Sequence, residues 1–238
     1  MVDRPHVEFV CPEALAPGPL RVPLGPQALR GRALVGDIAA GDGAALVELP
    51  AGWRAAPRPS APYELVVLEG EIEADGGALG LHGYVSATPD AAPRLAARER
   101  ALVFVDAIAD VEEPRILPMG EDGWGPTMLE GLELREARSS LDRGACGFFL
   151  RVPAGWAMQM TEWHDCAEAA LMLEGDLWHV RANEGAGGTM RPGCYFWRPP
   201  RLLHSPMGSD GGALMWIYVD GPLVNHFVEV EGPPPAQD

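Results

Sequence analysis

Lysine is absent from this chain. All 18 basic residues are arginine, and they stand against 34 acidic residues, so that the formal net charge is −16. Schiff-base formation and the linkage of pyridoxal phosphate both need a lysine amine, and both are therefore excluded. A nucleic-acid backbone or an anionic membrane surface would repel such a chain, because no local cluster of arginines outweighs the acids. We expect neither nucleic acid nor membrane as a partner.

Long apolar runs and closely spaced cysteines are also missing. No stretch approaches the roughly 18 consecutive apolar residues of a membrane helix, and the beginning of the chain, MVDRPHVEFV, lacks the order of a signal peptide. Cys11, Cys146, Cys166 and Cys194 lie far apart and form no CxxC pair. Their spacing predicts reduced thiols rather than a disulfide framework or a zinc ribbon. We therefore expect a cytoplasmic protein.

The chain contains an internal repeat. The run ALVELPAGW (45–53) recurs as FFLRVPAGW (148–156), and LVVLEG (65–70) recurs as LMLEG (171–175). Within each half, short β-rich runs are separated by Gly, Pro and Asp turns at spacings of roughly 8 to 12 residues, the pattern of a sandwich or barrel. Helical periodicity is weak throughout. The sequence predicts an all-β protein built from two copies of one module.

The least patterned stretch of the chain marks the boundary between the two copies. It covers residues 108–128 and is rich in proline, glycine and acidic residues. We place an N-terminal domain at residues 1–115 and a C-terminal domain at residues 116–238.

The segment TEWHDCAEAALMLEG (161–175) contains a concentration of metal-binding residue types. On a helix, His164 and Glu168 would lie one turn apart. A strand is favoured, because a turn precedes the segment and the apolar run after it resembles a hairpin that turns at Gly175. On a strand, Glu162 and His164 share one face, so both would enter the interior of a barrel, and Glu168 would join them after a bend.

Two motifs of the cupin family resemble this part of the chain. The first family motif runs Gly, a gap, His-x-His, three or four residues, Glu, six residues, Gly, and the chain matches it with Gly155, Glu162-x-His164, Glu168 and Gly175. The second motif, Gly-x5-Pro-x-Gly-x-x-His, is matched by Gly193, Pro199 and His204. The resemblance implies two jelly-roll (double-stranded β-helix) barrels in tandem, a bicupin.

In cupins these motif positions hold one divalent metal inside the barrel. The resemblance therefore implies Glu162, His164, Glu168 and His204 as metal ligands. The chain departs from the family pattern in three places: Glu162 replaces the first histidine, Arg201 the second-motif glycine, and Gly208 the asparagine expected after the last histidine.

The N-terminal copy lacks these ligand types. Pro57, Pro59, Tyr63 and Arg94 stand where Glu162, His164, Glu168 and His204 stand in the C-terminal copy. Proline side chains offer no lone pair to a metal, so we expect the N-terminal barrel to be a metal-free partner and the protein to bind one divalent ion per chain.

Two imidazoles and two carboxylates suit iron(II), which we favour, as well as manganese or zinc. If Glu162 stays off the metal, its carboxylate becomes a candidate general base, so Glu162 is also the predicted catalytic residue. Of the other candidates, we expect Cys166 to be a small buried residue, Arg198 and Arg201 to be exposed, and His179 and His226 to be structural.

The resemblance implies a metal-dependent enzyme acting on a small oxygenated organic molecule, most plausibly as an iron(II) dioxygenase. Two alternatives stay open. One is a metal-dependent isomerase or lyase. The other is a non-catalytic zinc-binding sensor, because the chain also resembles the cupin domain of zinc-binding anti-sigma factors. A homodimer is left open as well.

Overall fold

The structure is a computed structural model and describes residues 4–108, 111, 113–138, 144–180, 187–204 and 206–228. The described residues form strands and two short 3₁₀ helices, Pro12–Ala14 and Ile38–Ala40, and contain no α-helix. None of them forms a helix that could span a bilayer. They divide into two compact units.

The N-terminal unit contains residues 4–5 and the described residues from 12 to 122. Its strands are β2 Gly18–Leu20, β3 Leu29–Asp37, β4 Asp42–Leu49, β5 Trp53–Arg54, β6 Tyr63–Glu69, β7 Ile72–Ala74, β8 Gly77–Leu79, β9 Tyr84–Ala87, β10 Leu95–Ala97, β11 Ala101–Ala107 and β12 Arg115–Leu117. Seven of them form a sheet in the order β12-β9-β6-β11-β4-β3-β2, and four form a second sheet in the order β5-β10-β7-β8. All pairings are antiparallel.

The C-terminal unit contains residues 6–11 and the described residues from 123 onward. Its strands are β1 Val7–Val10, β13 Gly125–Pro126, β14 Glu133–Arg138, β15 Cys146–Val152, β16 Trp156–Met158, β17 Thr161–Trp163, β18 Glu168–Gly175, β19 Leu177–Val180, β20 Gly187–Met190, β21 Tyr195–Arg198, β22 Met207–Ser209, β23 Ala213–Val219 and β24 His226–Val228. The sheets run β1-β21-β18-β23-β15-β14-β13 and β16-β22-β19-β20, and β17 pairs with β24.

The two units repeat one arrangement of strands. In each unit a seven-stranded antiparallel sheet faces a four-stranded sheet, and strands at equivalent points of the sequence repeat take equivalent places, as β6 and β18 do. Apolar side chains between the sheets form a separate core in each unit. The predicted fold class, two jelly-roll barrels in an all-β chain, is confirmed. The pair β17–β24 has no counterpart among the described strands of the N-terminal unit.

The repeated LEG landmark is explained by backbone geometry. Gly70 and Gly175 both have positive φ, at 76° and 78°, a conformation that costs an L-residue about 1–2 kcal/mol. A Cβ at Gly175 would also overlap the carbonyl oxygen of Gly212. The predicted hairpin at Gly175 is wrong, since β18 pairs with β21 and β23, whereas β19 pairs with β20 and β22. The glycine lets the chain cross between the sheets.

The N-terminal segment of the chain is part of the C-terminal unit. Strand β1 pairs with β21, with Val10 opposite Tyr195, and this register brings Cys11 and Cys194 into a disulfide bond. The prediction that all four cysteines are reduced is therefore wrong for this pair, whereas Cys146 and Cys166 are free and buried. The cause is a pairing across 183 positions of sequence, which cysteine spacing does not reveal. The cytoplasmic location stays a prediction.

The units also differ from the predicted division of the chain. A boundary between 115 and 116 assigns segment 6–11 to the N-terminal domain and residues 116–122 to the C-terminal domain. In the structure, segment 6–11 belongs to the C-terminal unit and residues 116–122 belong to the N-terminal unit. The division into domains 1–115 and 116–238 stays a prediction.

Candidate metal centre

The four predicted ligands lie on or beside strands of the C-terminal barrel. Glu162 lies on β17, His164 follows directly after that strand, and Glu168 begins β18. His204 lies between β21 and β22 and forms an isolated antiparallel bridge with Glu162. All four side chains line one cavity of about 330 Å³. The cavity lies within the C-terminal unit.

Three of the four predicted ligands form a tight group. His164, Glu168 and His204 each offer one ligand atom, and these atoms lie within 4.8 Å of one another. The distance from Nε2 of His164 to Oε2 of Glu168 is 3.6 Å, and that from Nε2 of His204 to the same oxygen is 3.9 Å. Two ligands held about 2.1 Å from a common ion are separated by roughly 3 to 4 Å, so the group needs little rearrangement to hold one.

The backbone fixes the tautomer of both imidazoles. Nδ1–H of His164 donates to the carbonyl of Cys166 at 2.7 Å, and Nδ1–H of His204 donates to the carbonyl of Leu202 at 2.9 Å. When the ring is neutral, this leaves the lone pair on Nε2, as in metal-ligating histidines. Nε2 of His164 is buried and has no hydrogen-bond partner among the described residues. Such an atom is costly unless something binds it, and a metal ion fits here.

His164 and Glu168 shift each other's pKa. Burial lowers the pKa of His164, but the contact of its Nδ1 with Sγ of Cys166, at 3.6 Å, and the carboxylate of Glu168 raise it more, to about 11. Burial raises the pKa of Glu168, whereas His164, His204 and Arg198 lower it, and the result lies far below the usual range. In the metal-free protein His164 is therefore protonated, and its positive charge pairs with the carboxylate of Glu168.

Glu162 stands beside this group, held by a different neighbour. Its Oε1 lies 3.4 Å from Nε2 of His204, while its Oε2 accepts a hydrogen bond of 2.8 Å from Nδ2 of Asn225. The side chain is almost fully buried, at 4 % exposure. This arrangement sets the carboxylate of Glu162 apart from the group of two histidines and Glu168. The prediction that Glu162 is a fourth ligand stays a prediction.

A buried arginine stands behind Glu168. Nη1 of Arg198 donates to Oε2 of Glu168 at 3.3 Å, and Nε and Nη2 donate to the two oxygens of Glu8 at 2.9 and 3.4 Å. Nη2 also contacts Nε2 of His179 at 2.9 Å. The expectation that Arg198 is exposed is wrong, because its side chain is only 3 % exposed and lines the cavity. Alternation along β21 carried a signal, since Phe196, two residues earlier, also lines the cavity.

Two further residues near the site were not predicted from the sequence. Glu8, on β1 at the opposite end of the chain, contacts the cavity-lining Arg198, and Asn225 lies 63 positions after the Glu162 that it contacts. Neither residue belongs to a motif, and only the strand pairing brings them near the site. The expected exposure of Arg201 is correct, as its side chain is 74 % exposed and pairs with Asp165.

The described residues of the N-terminal barrel contain no comparable group. Among the described residues, His164, Glu168 and His204 form the one set of three or more His, Cys, Asp or Glu side chains close enough to hold an ion. Tyr63, which stands in the place of Glu168, is buried in the N-terminal core, and burial raises the pKa of its phenol. A phenol held in its neutral form is a poor metal ligand.

No family model matches the chain, and no curated protein matches it. Solved structures do resemble it. One is a candidate dioxygenase from Nostoc punctiforme, with a TM-score of 0.67 and 15 % identity over 98 % of this chain and 85 % of that one. Another is the protein Ylba of E. coli, with a TM-score of 0.66 and 15 % identity over 89 % of both chains.

A third similar structure is a variant of the salicylate 1,2-dioxygenase of Pseudoaminobacter salicylatoxidans. Its TM-score is 0.56, with 13 % identity over 80 % of this chain and 75 % of that one. At these identities the likeness concerns the fold. The chain has the cupin fold.

Proposed function

We propose that this protein is a metal-dependent oxygenase of the bicupin type, in which His164, Glu168 and His204 hold one iron(II) ion. The observation that carries the proposal is the pair of imidazoles whose Nδ1–H groups are tied to backbone carbonyls, with both Nε2 atoms facing Oε2 of Glu168. Two histidines and one carboxylate with open positions are the donor set of non-haem iron(II) oxygenases. Similarity in fold to two proteins described as dioxygenases adds support.

The bound ion would supply a Lewis acid and a redox centre to a molecule in the cavity. Around it, the residues of the chain have separate tasks. Arg198 donates to Oε2 of Glu168 and so orients that carboxylate. The apolar walls of the cavity exclude water from the reacting molecule.

Glu162 is proposed as the general base. It lies next to the ligand group, Asn225 holds one of its oxygens, and the other faces His204. A carboxylate fixed in this way can take a proton from an enol hydroxyl, or from a carbon that bears a hydroxyl group, of a bound molecule. The same arrangement suits an isomerase or lyase, which is the second candidate: there the proton is returned at a different atom and no oxygen is consumed.

Metal analysis of anaerobically purified protein, followed by oxygen uptake with diketones, catechols and hydroxy-ketones, separates these functions. Iron with substrate-dependent oxygen uptake is the result expected for the oxygenase. Substrate conversion without oxygen uptake would instead establish the isomerase or lyase. Zinc without any turnover, together with a co-purifying protein partner, would overturn both and favour a sensor of the anti-sigma type.

A further inference from the structure

The cavity beside the candidate metal group is mostly apolar. Phe148, Trp156, Leu177, Phe196 and Ile217 are among its lining residues. Its volume, about 330 Å³, lies at the small end of the range for ligand pockets, which suits a single substituted ring or a short chain. Most of a bound molecule would therefore contact hydrocarbon.

The arginine in the wall of this cavity is already matched by acids. Arg198 is the one arginine among the described residues that line it, and the chain has no lysine. Its guanidinium meets Glu8 through two contacts, at 2.9 and 3.4 Å, and Glu168 through a third at 3.3 Å. Burial raises the pKa of Glu8, but Arg198 lowers it more, so the net pKa is lowered and Glu8 stays ionised. A ligand carboxylate finds no unmatched cation among these side chains.

A divalent ion held in this site would bring two positive charges, which two carboxylates of the cavity offset. Glu162 and Glu168 both present carboxylates to the cavity, and the chain as a whole carries a formal charge of −16. By contrast, Oδ1 of Asn225 is a buried acceptor that has no hydrogen-bond partner among the described residues. Such an atom favours a hydroxyl donor on the ligand. Exposed Met128 adds an apolar group at the cavity edge.

We propose that the cavity selects uncharged, mostly apolar molecules that bear a keto or hydroxyl end toward the metal group, and that Glu8 enforces this selection by neutralising Arg198. The proposal rests on the proposed metal site, because the polar end of the ligand needs it. Glu8 thereby becomes a specificity-determining residue, supplied to the C-terminal barrel by the first strand of the chain.

Binding of matched ligand pairs to the iron(II)-loaded full chain, measured anaerobically by calorimetry, tests the proposal. The probes are 4-methylcatechol against 3,4-dihydroxybenzoate, and benzoylacetone against its 4-carboxylate. Within each pair the chelating end is the same, and the distal group is uncharged in one member and a carboxylate in the other. We expect the uncharged member to bind at least tenfold more tightly to the wild type.

The variant Glu8→Gln keeps a hydrogen-bonding amide but removes the negative charge opposite Arg198. We expect it to narrow the preference for the uncharged member at least threefold, mainly through tighter binding of the carboxylate. The matched control is Glu133→Gln, an exposed carboxylate on β14 of the same sheet, which should leave the preference unchanged. Circular dichroism establishes that each variant is folded.

Equal or tighter binding of the carboxylated members by the wild type would overturn the proposal without any variant. Failure of every uncharged probe to bind would overturn it too, and so would an unchanged preference in folded Glu8→Gln. The proposed function fails separately: tight, selective binding of uncharged probes without oxygen uptake would refute the oxygenase but keep the selection. Oxygen uptake with a preference for carboxylated substrates would support the oxygenase but refute the selection of uncharged molecules.

Discussion

Glu162 and His204 are joined through their main chains. The N–H of Glu162 donates to the carbonyl of His204 at 2.9 Å, and the N–H of His204 donates to the carbonyl of Glu162 at 3.0 Å. Their side chains meet 3.4 Å apart, between Oε1 and Nε2. This two-way bridge ties the first motif to the second, and holds the proposed base at a fixed distance from a proposed ligand.

That separation of tasks predicts the behaviour of Glu162→Gln. The amide oxygen can still accept from Asn225, so the local structure should persist, but the side chain can no longer take a proton. We expect the metal content to stay within a few per cent of the wild type while kcat falls about 10²- to 10⁴-fold. Metal analysis and steady-state kinetics on the same sample check this. Loss of the metal would instead identify Glu162 as a ligand.

The raised pKa of His164 predicts that metal binding releases protons. In the metal-free protein this imidazole stays protonated up to about pH 11, whereas a bound ion needs its neutral form. At pH 8 we expect at least one proton to be released per ion, and the affinity for the ion to rise with pH. Calorimetry in two buffers of different ionisation enthalpy measures the release, and zero protons would contradict the assignment.

The raised pKa of His164 also determines how the free energy of unfolding of the metal-free protein changes with pH. A pKa raised from 6.5 to about 11 on folding stabilises the metal-free protein fully below about pH 6.5, and this contribution disappears as the pH rises toward 11. The free-energy difference between the metal-free wild type and His164→Gln should therefore shrink over that interval. Urea unfolding at several pH values measures it, and a difference that grows with pH would refute the shift.

The two turn glycines of the C-terminal repeat landmarks offer a matched pair for the fold. Gly155 and Gly175 have almost equal positive φ values, 77° and 78°, but a Cβ has open space at Gly155 and overlaps the Gly212 carbonyl at Gly175. We expect Gly155→Ala to cost about 1–2 kcal/mol of unfolding free energy. Gly175→Ala should cost about 1–3 kcal/mol more through overpacking. Equal costs by chemical denaturation would contradict the close approach.

The sequence predicted those parts of the molecule that depend on local rules. The LEG and PAGW landmarks recur because each barrel needs a glycine with positive φ at the same place, so the repeat and the fold class could be read directly. The clustering of His164, Glu168 and His204 could be predicted because the first two lie four positions apart, and a motif with fixed spacing supplied His204.

Features that depend on distant strand pairing could not be predicted. The contact between Glu8 and Arg198 and the disulfide between Cys11 and Cys194 both exist because β1 is an edge strand of the C-terminal barrel. Nothing in the first eleven residues indicates which sheet they join. The hairpin prediction at Gly175 failed for a related reason: a glycine turn can reverse a chain within one sheet or carry it to another, and local sequence is the same for both.

The metal content of purified protein and its variants tests the central claim most directly. We predict about one ion per chain in the wild type, unchanged in Tyr63→Phe and lost in His164→Ala and in His204→Ala. A bound ion should also stabilise the fold by about 2.7 kcal/mol when present at 100 times its dissociation constant, an increment that both histidine variants lose. Two ions per chain, or one ion that survives replacement of both histidines, would contradict a single metal centre in the C-terminal barrel.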